Sequence, residues 1–199
     1  MVKSFSMQQG FSLDVTDRTM IVRFTRPEIR NPLSVSVVEG LSNVIDGFAA
    51  GGDLKAVIFT GTGDIFASGA DLREIAGLTP NVAREFAERG QRLMTKISAM
   101  PMKTIAAVNG YCFGGALDLA VACDRRVASP NAKFAHPGAG LGIITGWSGT
   151  QRLPRLIGVA NALEMFFTAS PIDATRALQI GLIDEVAEDA FQRALETLR

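Results

Sequence analysis

Residues 105–124 read IAAVNGYCFGGALDLAVACD, and the way this stretch divides sets the kind of fold the chain adopts. Ile105 to Val108 is apolar with no alternation, the pattern of a strand covered on both faces. Asn109 and Gly110 interrupt the run, and from Gly114 onward the residues continue as a helix. Residues 57–72, VIFTGTGDIFASGADL, follow the same plan of buried strand, glycine-bearing turn and helix. Buried strands alternating with helices imply an α/β fold with parallel pairing.

The rest of the chain fits around these two units. FSLDV (11–15) and TMIVRFT (19–25) read as short strands joined by a polar turn at Thr16–Arg18. RPEIRNPLS (26–34), with two prolines, reads as a loop. Ser36 with Glu39 three residues on predicts a capping box that opens an amphipathic helix to about Ala50, ended by Gly51, Gly52 and Asp53. KAVIFTG (55–61) is a buried strand, and TGDIFASGAD (62–71) reads as the loop after it. Thr79 and Pro80 are the N-cap and first position of a helix to about Ser98. RRVAS (125–129) and AKFA (132–135) give short strands about a turn at Pro130–Asn131. Beyond Thr150 the pattern is mainly helical: Asp173 caps a helix that Gly181 ends, then come a short strand in LIDEV (182–186) and a last helix. The expected organisation is one domain over residues 1–199, with a core of about 11–150 and a helical C-terminal part of about 150–199.

Bulk properties exclude several classes of function. Twenty Lys and Arg balance twenty Asp and Glu, so nothing steers the chain toward nucleic acid or an anionic membrane. Apolar residues make up 47%, yet Asn109, Asp118, Asp124 and several glycines break every long apolar run, leaving no membrane span. The surplus fits oligomer interfaces. Cys112 and Cys123 lie within apolar runs, which is core usage rather than a disulfide framework or a metal-ligand spacing. No secretory signal is visible, and a reducing, cytoplasmic setting is expected.

Familiar catalytic motifs fail. TGTGDIF has Phe66 where the third glycine of a dinucleotide fingerprint belongs. GWSGT has Thr150 where a nucleophile elbow needs its second glycine, and a Ser148–His136 pair would need the chain's only histidine. There is no phosphate loop, and one histidine does not build a usual zinc site, so no metal is expected. What remains is the pair of strand-to-helix junctions. Each turn leaves backbone N–H groups pointing outward at a helix start, where they hold negative charge. Two such turns on neighbouring strands aim two donors at one oxygen, the geometry of an oxyanion hole. On the residues alone, glycines that merely permit tight turns and close packing are the favoured reading.

FASGADL (66–72), IAAVNGYCFGGALDLAVACD (105–124) and GTQRLPRLIG (149–158), in that order and spacing, resemble the enoyl-CoA hydratase/isomerase (crotonase) family. The likeness runs from about Phe11 to Asp189. It takes in RPEIRNPLS, similar to the family's early CoA-contacting loop, and SPIDATRALQIGLIDEV (170–186). It implies a crotonase-like ββα spiral with a short C-terminal helical part, trimers or paired trimers, and an acyl-CoA thioester as substrate, with coenzyme A entering only as part of it and no other cofactor. Position by position, the resemblance puts the oxyanion hole on the N–H groups of Ser68 and Gly115. The adenine end of CoA would lie against Ser68, Gly69, Ala70 and Asp71. Arg26 and Arg30 would meet CoA phosphates, unless they are solvated surface charge. Leu72, Ile75 and Leu78 would wall the acyl pocket or simply pack the core.

Hydratases of this family place two glutamates about the double bond. One position is Asp118 here, a methylene shorter, so its carboxylate falls back by about 1.5 Å. The other follows the proline of a QPE-like turn; here the turn reads His136–Pro137–Gly138, and the second carboxylate is absent. Asp118 as acid/base, or as a helix-start carboxylate serving the dipole, both remain open. So do two roles for His136: an imidazole that replaces the missing acid, or a loop residue. The leading expectation is a hydratase/isomerase-type enzyme with Asp118 as acid/base. The alternatives are the same CoA site running isomerisation, decarboxylation or thioester hydrolysis, and a non-catalytic CoA-binding scaffold. The resemblance also makes the helical part after Thr150 shorter than is usual for the family.

Overall fold

Strands feeding helices through glycine turns recur along the whole of a computed structural model, which describes residues 3–8, 10–49 and 53–198. The chain begins with three antiparallel strands, β1 (Lys3–Gln8), β2 (Phe11–Thr16) and β3 (Thr19–Phe24). β1 adds to the two strands read from the sequence. Asp17 and Arg18, both at positive φ (50° and 61°), make the two-residue turn between β2 and β3. β4 (Pro32–Leu33) leads into α1 (Val35–Ala49), and β5 (Ala56–Thr60) follows.

Two predicted details of α1 change. Its cap is Ser34, whose Oγ accepts from Val37 N at 3.4 Å, because Pro32 and Leu33 are extended and Ser34 is the last residue before the helix. Ser36 instead meets Ser34 Oγ at 3.0 Å, and Glu39 pairs with Arg89 at 3.0 Å. The predicted stop at Gly51 and Gly52, like Ala50, lies outside the described residues.

The segment expected as a loop after β5 holds short strands β6 (Ile65–Ala67) and β7 (Gly69–Ala70), then α2 (Leu72–Ala76) capped by Asp71. α3 (Pro80–Ser98) starts where Thr79–Pro80 places it. Next come β8 (Lys103–Val108), β9 (Tyr111–Phe113) and α4 (Gly115–Ala122), then β10 (Arg125–Ala128) and β11 (Lys133–Ala135). A 3₁₀ turn over Pro137–Leu141 precedes α5 (Gly149–Ile157) and α6 (Val159–Thr168). The chain then adds β12 (Ile172–Asp173), α7 (Ala174–Gln179), β13 (Glu185–Val186) and α8 (Ala190–Glu196). Asp173 caps α7 as predicted, its carboxylate accepting from Arg176 N. The part after Thr150 is thus mixed, since β12 and β13 both join sheets.

A seven-stranded sheet runs in the order β1-β2-β3-β5-β8-β10-β13, and a four-stranded sheet runs β12-β11-β9-β6. Each winding lays one strand in the large sheet and a shorter one in the second, then usually adds a helix: β5 and β6, β8 and β9, β10 and β11. This is the α/β, ββα spiral expected from the sequence. The missing alternation in β5 and β8 has its cause in two covered faces. Val57, Phe59, Ala106 and Val108 enter the main core, while Ile58, Ile105 and Ala107 pack against Ala190 and Ala194 of α8.

Candidate active site

Parallel pairing of β6 with β9 aligns Ala67 with Cys112, so the turns after both strands lie side by side. They touch: a Cβ on Gly69 would stand 2.6 Å from both Gly115 N and Phe113 O, and Gly69 has φ +84°. Only glycine permits that approach. Gly114, at φ 55° and ψ −126°, turns the chain from β9 into α4. Gly114 N donates to Ala135 O at 2.8 Å, and Leu117 N and Asp118 N donate to Gly114 O. Among the described residues, neither Ser68 N nor Gly115 N is bonded to any acceptor. Both residues line a cavity of about 220 Å³.

The walls of that cavity are mostly apolar. Leu72, Ile75 and Leu78 come from α2 and the turn after it, Phe86 and Ala87 from α3, and Leu141, Ile143 and Ile144 from the loop before α5. Trp147 closes one side. Its indole occupies the space that a Cβ on Gly90 of α3 or on Gly115 of α4 would overlap, and Phe86 lies 5.8 Å from it. His136, Pro137, Gly138 and Thr145 complete the lining.

Asp118 stands behind this lining. Its side chain is fully buried and meets the cavity wall through His136 and Thr145. The Thr145 hydroxyl donates to Oδ2, and His136 Nε2 lies 3.4 Å from Oδ1, with neither of that last pair holding a hydrogen bond. Gly149 makes the room: a Cβ there would overlap Oδ1. Burial pushes the Asp118 carboxyl up to about 7, against the opposing pull of the Thr145 bond and the Arg152 charge. Burial lowers His136 to about 4, so its imidazole is neutral at physiological pH. Phe166 of α6 packs on that ring at 5.2 Å.

The predicted site residues fall into three groups. Ser68, Ala70, Gly115 and His136 line the cavity, as do Leu72, Ile75 and Leu78. Gly69 and Asp118 sit immediately behind it, holding Gly115 and His136 respectively. Asp71, Arg26 and Arg30 lie outside the lining. Asp71 caps α2 and binds the Arg73 guanidinium at 2.7 Å, which holds its carboxyl below the usual value. Arg26 is half-buried with an unpartnered Nε, and Arg30, at φ 64°, is exposed. Ser148 lines a separate hollow with Gln151, Arg152 and Arg155, away from His136. Trp147, Thr145 and Gly149 were not singled out from sequence as site residues. Gly149 lies inside the rejected GWSGT motif at the variable position after Ser148, which no motif marks. Among the described residues no three His, Cys, Asp or Glu side chains gather as metal ligands, and no helix is long and apolar enough to cross a membrane.

Comparison with known proteins gives a consistent answer. Residues 16–197 match the enoyl-CoA hydratase/isomerase family. The chain is 38% identical over 181 residues to the crotonyl-CoA hydratase of Syntrophomonas wolfei, covering 90% of this chain and 70% of that protein. It is 42% identical over 160 residues to a probable enoyl-CoA hydratase of Bacillus subtilis, covering 80% of this chain and 62% of that one. The crystal structure of an enoyl-CoA hydratase from Bacillus anthracis superposes with a TM-score of 0.90 at 34% identity, over 96% of this chain and 75% of that one. Pseudomonas aeruginosa DspI superposes at 0.92 and 32% identity, over 98% and 81%.

Proposed function

The chain belongs to the enoyl-CoA hydratase/isomerase family of enzymes, and from that premise we propose that its cavity binds an acyl-CoA thioester and stabilises the enolate formed from it. The observation that carries this reading is the pair of unbonded amides, Ser68 N and Gly115 N, on one cavity wall, fixed by the contact of Gly69 with Gly115. Charge that develops on the thioester oxygen meets two donors already in place, in a pocket with mostly apolar walls. Loss of one such donor typically costs about 10²–10³ in rate. The apolar lining suits an aliphatic acyl group. Coenzyme A is part of the substrate, its adenine end taken along Ser68 to Asp71, with Arg26 and Arg30 toward its phosphates. Crotonyl-CoA tests the reading directly: the conjugated-thioester absorbance falls as water adds. A protein that neither binds crotonyl-CoA nor changes its spectrum overturns it.

A second reaction on the same site is favoured by Gly138. It stands where the second carboxylate is expected, and a side chain there would meet Ile143 O at 2.6 Å. Isomerisation, decarboxylation or thioester hydrolysis lean on enolate or oxyanion stabilisation more than on two carboxylates. Mass spectrometry of products from an acyl-CoA panel separates these; a hydrated product alone removes this reading. The same proposal places the enzyme in the cytoplasm, where its buried free cysteines stay reduced. It also makes the enzyme a trimer or paired trimers. Val159, Leu163 and Phe167 form an exposed stripe on α6, Phe167 being 78% exposed, and light scattering reads whether copies cover it.

A further inference from the structure

We infer that His136 is the group that carries the proton at this site, and that Asp118 is its positioning partner rather than the acid/base itself. This rests on the acyl-CoA reading above and assigns the roles within it. Four observations on geometry carry it. Asp118 is fully buried and does not line the cavity, whereas His136 does. His136 turns Nε2 toward Asp118 Oδ1 at 3.4 Å, which leaves Nδ1 for the cavity. The Thr145 hydroxyl fixes the other carboxylate oxygen, so Asp118 has one direction left in which to act. Gly149 leaves Oδ1 its room, since any Cβ there would overlap it.

A single shuttle accounts for the missing second carboxylate. With Asp118 ionised, Nε2–H faces the carboxylate and Nδ1 is free to accept. Nδ1 takes a proton from water as the water oxygen bonds to the β-carbon. The π electrons of the double bond move onto the thioester oxygen, held by Ser68 N and Gly115 N. The imidazolium, balanced by Asp118, then returns that proton to the α-carbon, so water is added with no group left over. Without water the same nitrogen moves a proton between α- and γ-carbons, which is isomerisation.

The charged groups about His136 permit this. Asp118 faces it from α4, and Arg152 of α5 acts on Asp118. α6 presents Phe166, the loop over 137–145 presents only Thr145, and Cys112 of β9 is a thiol that burial holds well above its usual value. Because Asp118 titrates near 7, the base form of the pair grows as pH rises through about 7.

The test compares wild type with His136→Asn, Asp118→Asn and Thr145→Val. It reads acyl-CoA binding by calorimetry, crotonyl-CoA hydration against pH, and exchange of the α-protons of but-3-enoyl-CoA in D₂O by NMR. His136→Asn is expected to keep binding and to lose hydration and exchange by about 10²–10⁴-fold. Asp118→Asn is expected to lose about 10–100-fold in kcat with little change in KM, and to lose the rise of rate near pH 7. Thr145→Val shifts that rise without abolishing turnover. Exchange that survives in His136→Asn but vanishes in Asp118→Asn overturns the inference and returns the role to Asp118. A wild type that neither binds nor exchanges overturns the acyl-CoA reading and this inference together.

Discussion

The cavity has two sides built by different means. On the amide side, at Ser68–Gly69 and Gly114–Gly115, the working groups are backbone N–H, and their placement follows from strand register and from glycines that allow two turns to touch. On the proposed proton side, the groups are the side chains of Asp118, His136 and Thr145, from separate segments brought together by the spiral, with room left by Gly149. The first arrangement is rigid because a peptide has few soft torsions. The second depends on two buried ionisable groups that each lose water, and it holds because they face one another. The placement of the two amides is therefore fixed by strand pairing and turn glycines, and that of the carboxylate and imidazole by side-chain packing.

The largest expected effect comes from breaking the amide side. Gly69→Ala puts a methyl 2.6 Å from Gly115 N and Phe113 O, at a φ that alanine resists. Turnover of crotonyl-CoA should fall at least about 10²-fold, the usual cost of a displaced oxyanion donor, with a lower unfolding midpoint. Steady-state kinetics and a thermal melt read both. Unchanged turnover would show that the amides are not held by this contact, and the contrast between the two sides would collapse.

A smaller effect is expected on the proton side. Gly149→Ala places a methyl where Asp118 Oδ1 sits and 2.6 Å from Thr145 Cγ2, at the first residue of α5, where alanine is otherwise favourable. We expect kcat to drop about 10-fold as the carboxylate is pushed from His136, with KM nearly unchanged. In an Asp118→Ala background only the Thr145 methyl is left in the way, so the effect of the added methyl on kcat should shrink markedly. A double-mutant cycle measures that coupling. Additive losses would mean that Gly149 serves the helix and not the carboxylate. Smaller again is Gly138→Glu. Because its Cβ would meet Ile143 O at 2.6 Å, it should lower activity a few-fold instead of restoring a second acid. A gain in hydration rate would show that the loop over 137–145 adapts readily.

The same division governs what the sequence discloses. β5 and β8 are legible because both faces are covered, which writes an unbroken apolar run. Gly69, Gly114 and Gly115 are legible because a turn without a side chain leaves a letter in the sequence. β6, β7 and β9, of two or three residues each, carry no period, so most of their segments read as loop. Ser36 is a poorer cap than Ser34 only because Pro32 and Leu33 pair as a strand with Gly69 and Ala70, a long-range fact. Thr145 reaches Asp118 across 27 residues, and nothing in GIITGW marks it. The family pattern located Asp118 and the absence at Gly138, but it could not say that the shorter carboxylate stops behind His136.

The smallest effect is a slope that the wild type should lack. Asp118 has its native value raised to about 7, so its share of stability is present below the ordinary aspartate range and lost as pH rises to 7. His136 has its native value lowered to about 4, so its share is present above the ordinary histidine value of 6.5 and lost as pH falls to 4. Between about pH 4 and 6.5 the folded pair holds one proton, on Asp118, and the unfolded chain also holds one, on His136. Equal proton counts mean that the two slopes, each up to about 1.4 kcal/mol per pH unit, cancel. Removing either partner uncovers the other. Relative to wild type, Asp118→Asn should lose stability as pH falls from 6.5 to 4, and His136→Asn should gain it over the same range. Urea melts followed by the single tryptophan, Trp147, which packs against the site, measure the three curves. Slopes of opposite sign in the two variants establish that the pair shares one proton. Parallel curves would mean that the two groups titrate as ordinary solvated side chains, and the proton side of the cavity would then have no more built-in chemistry than a surface loop.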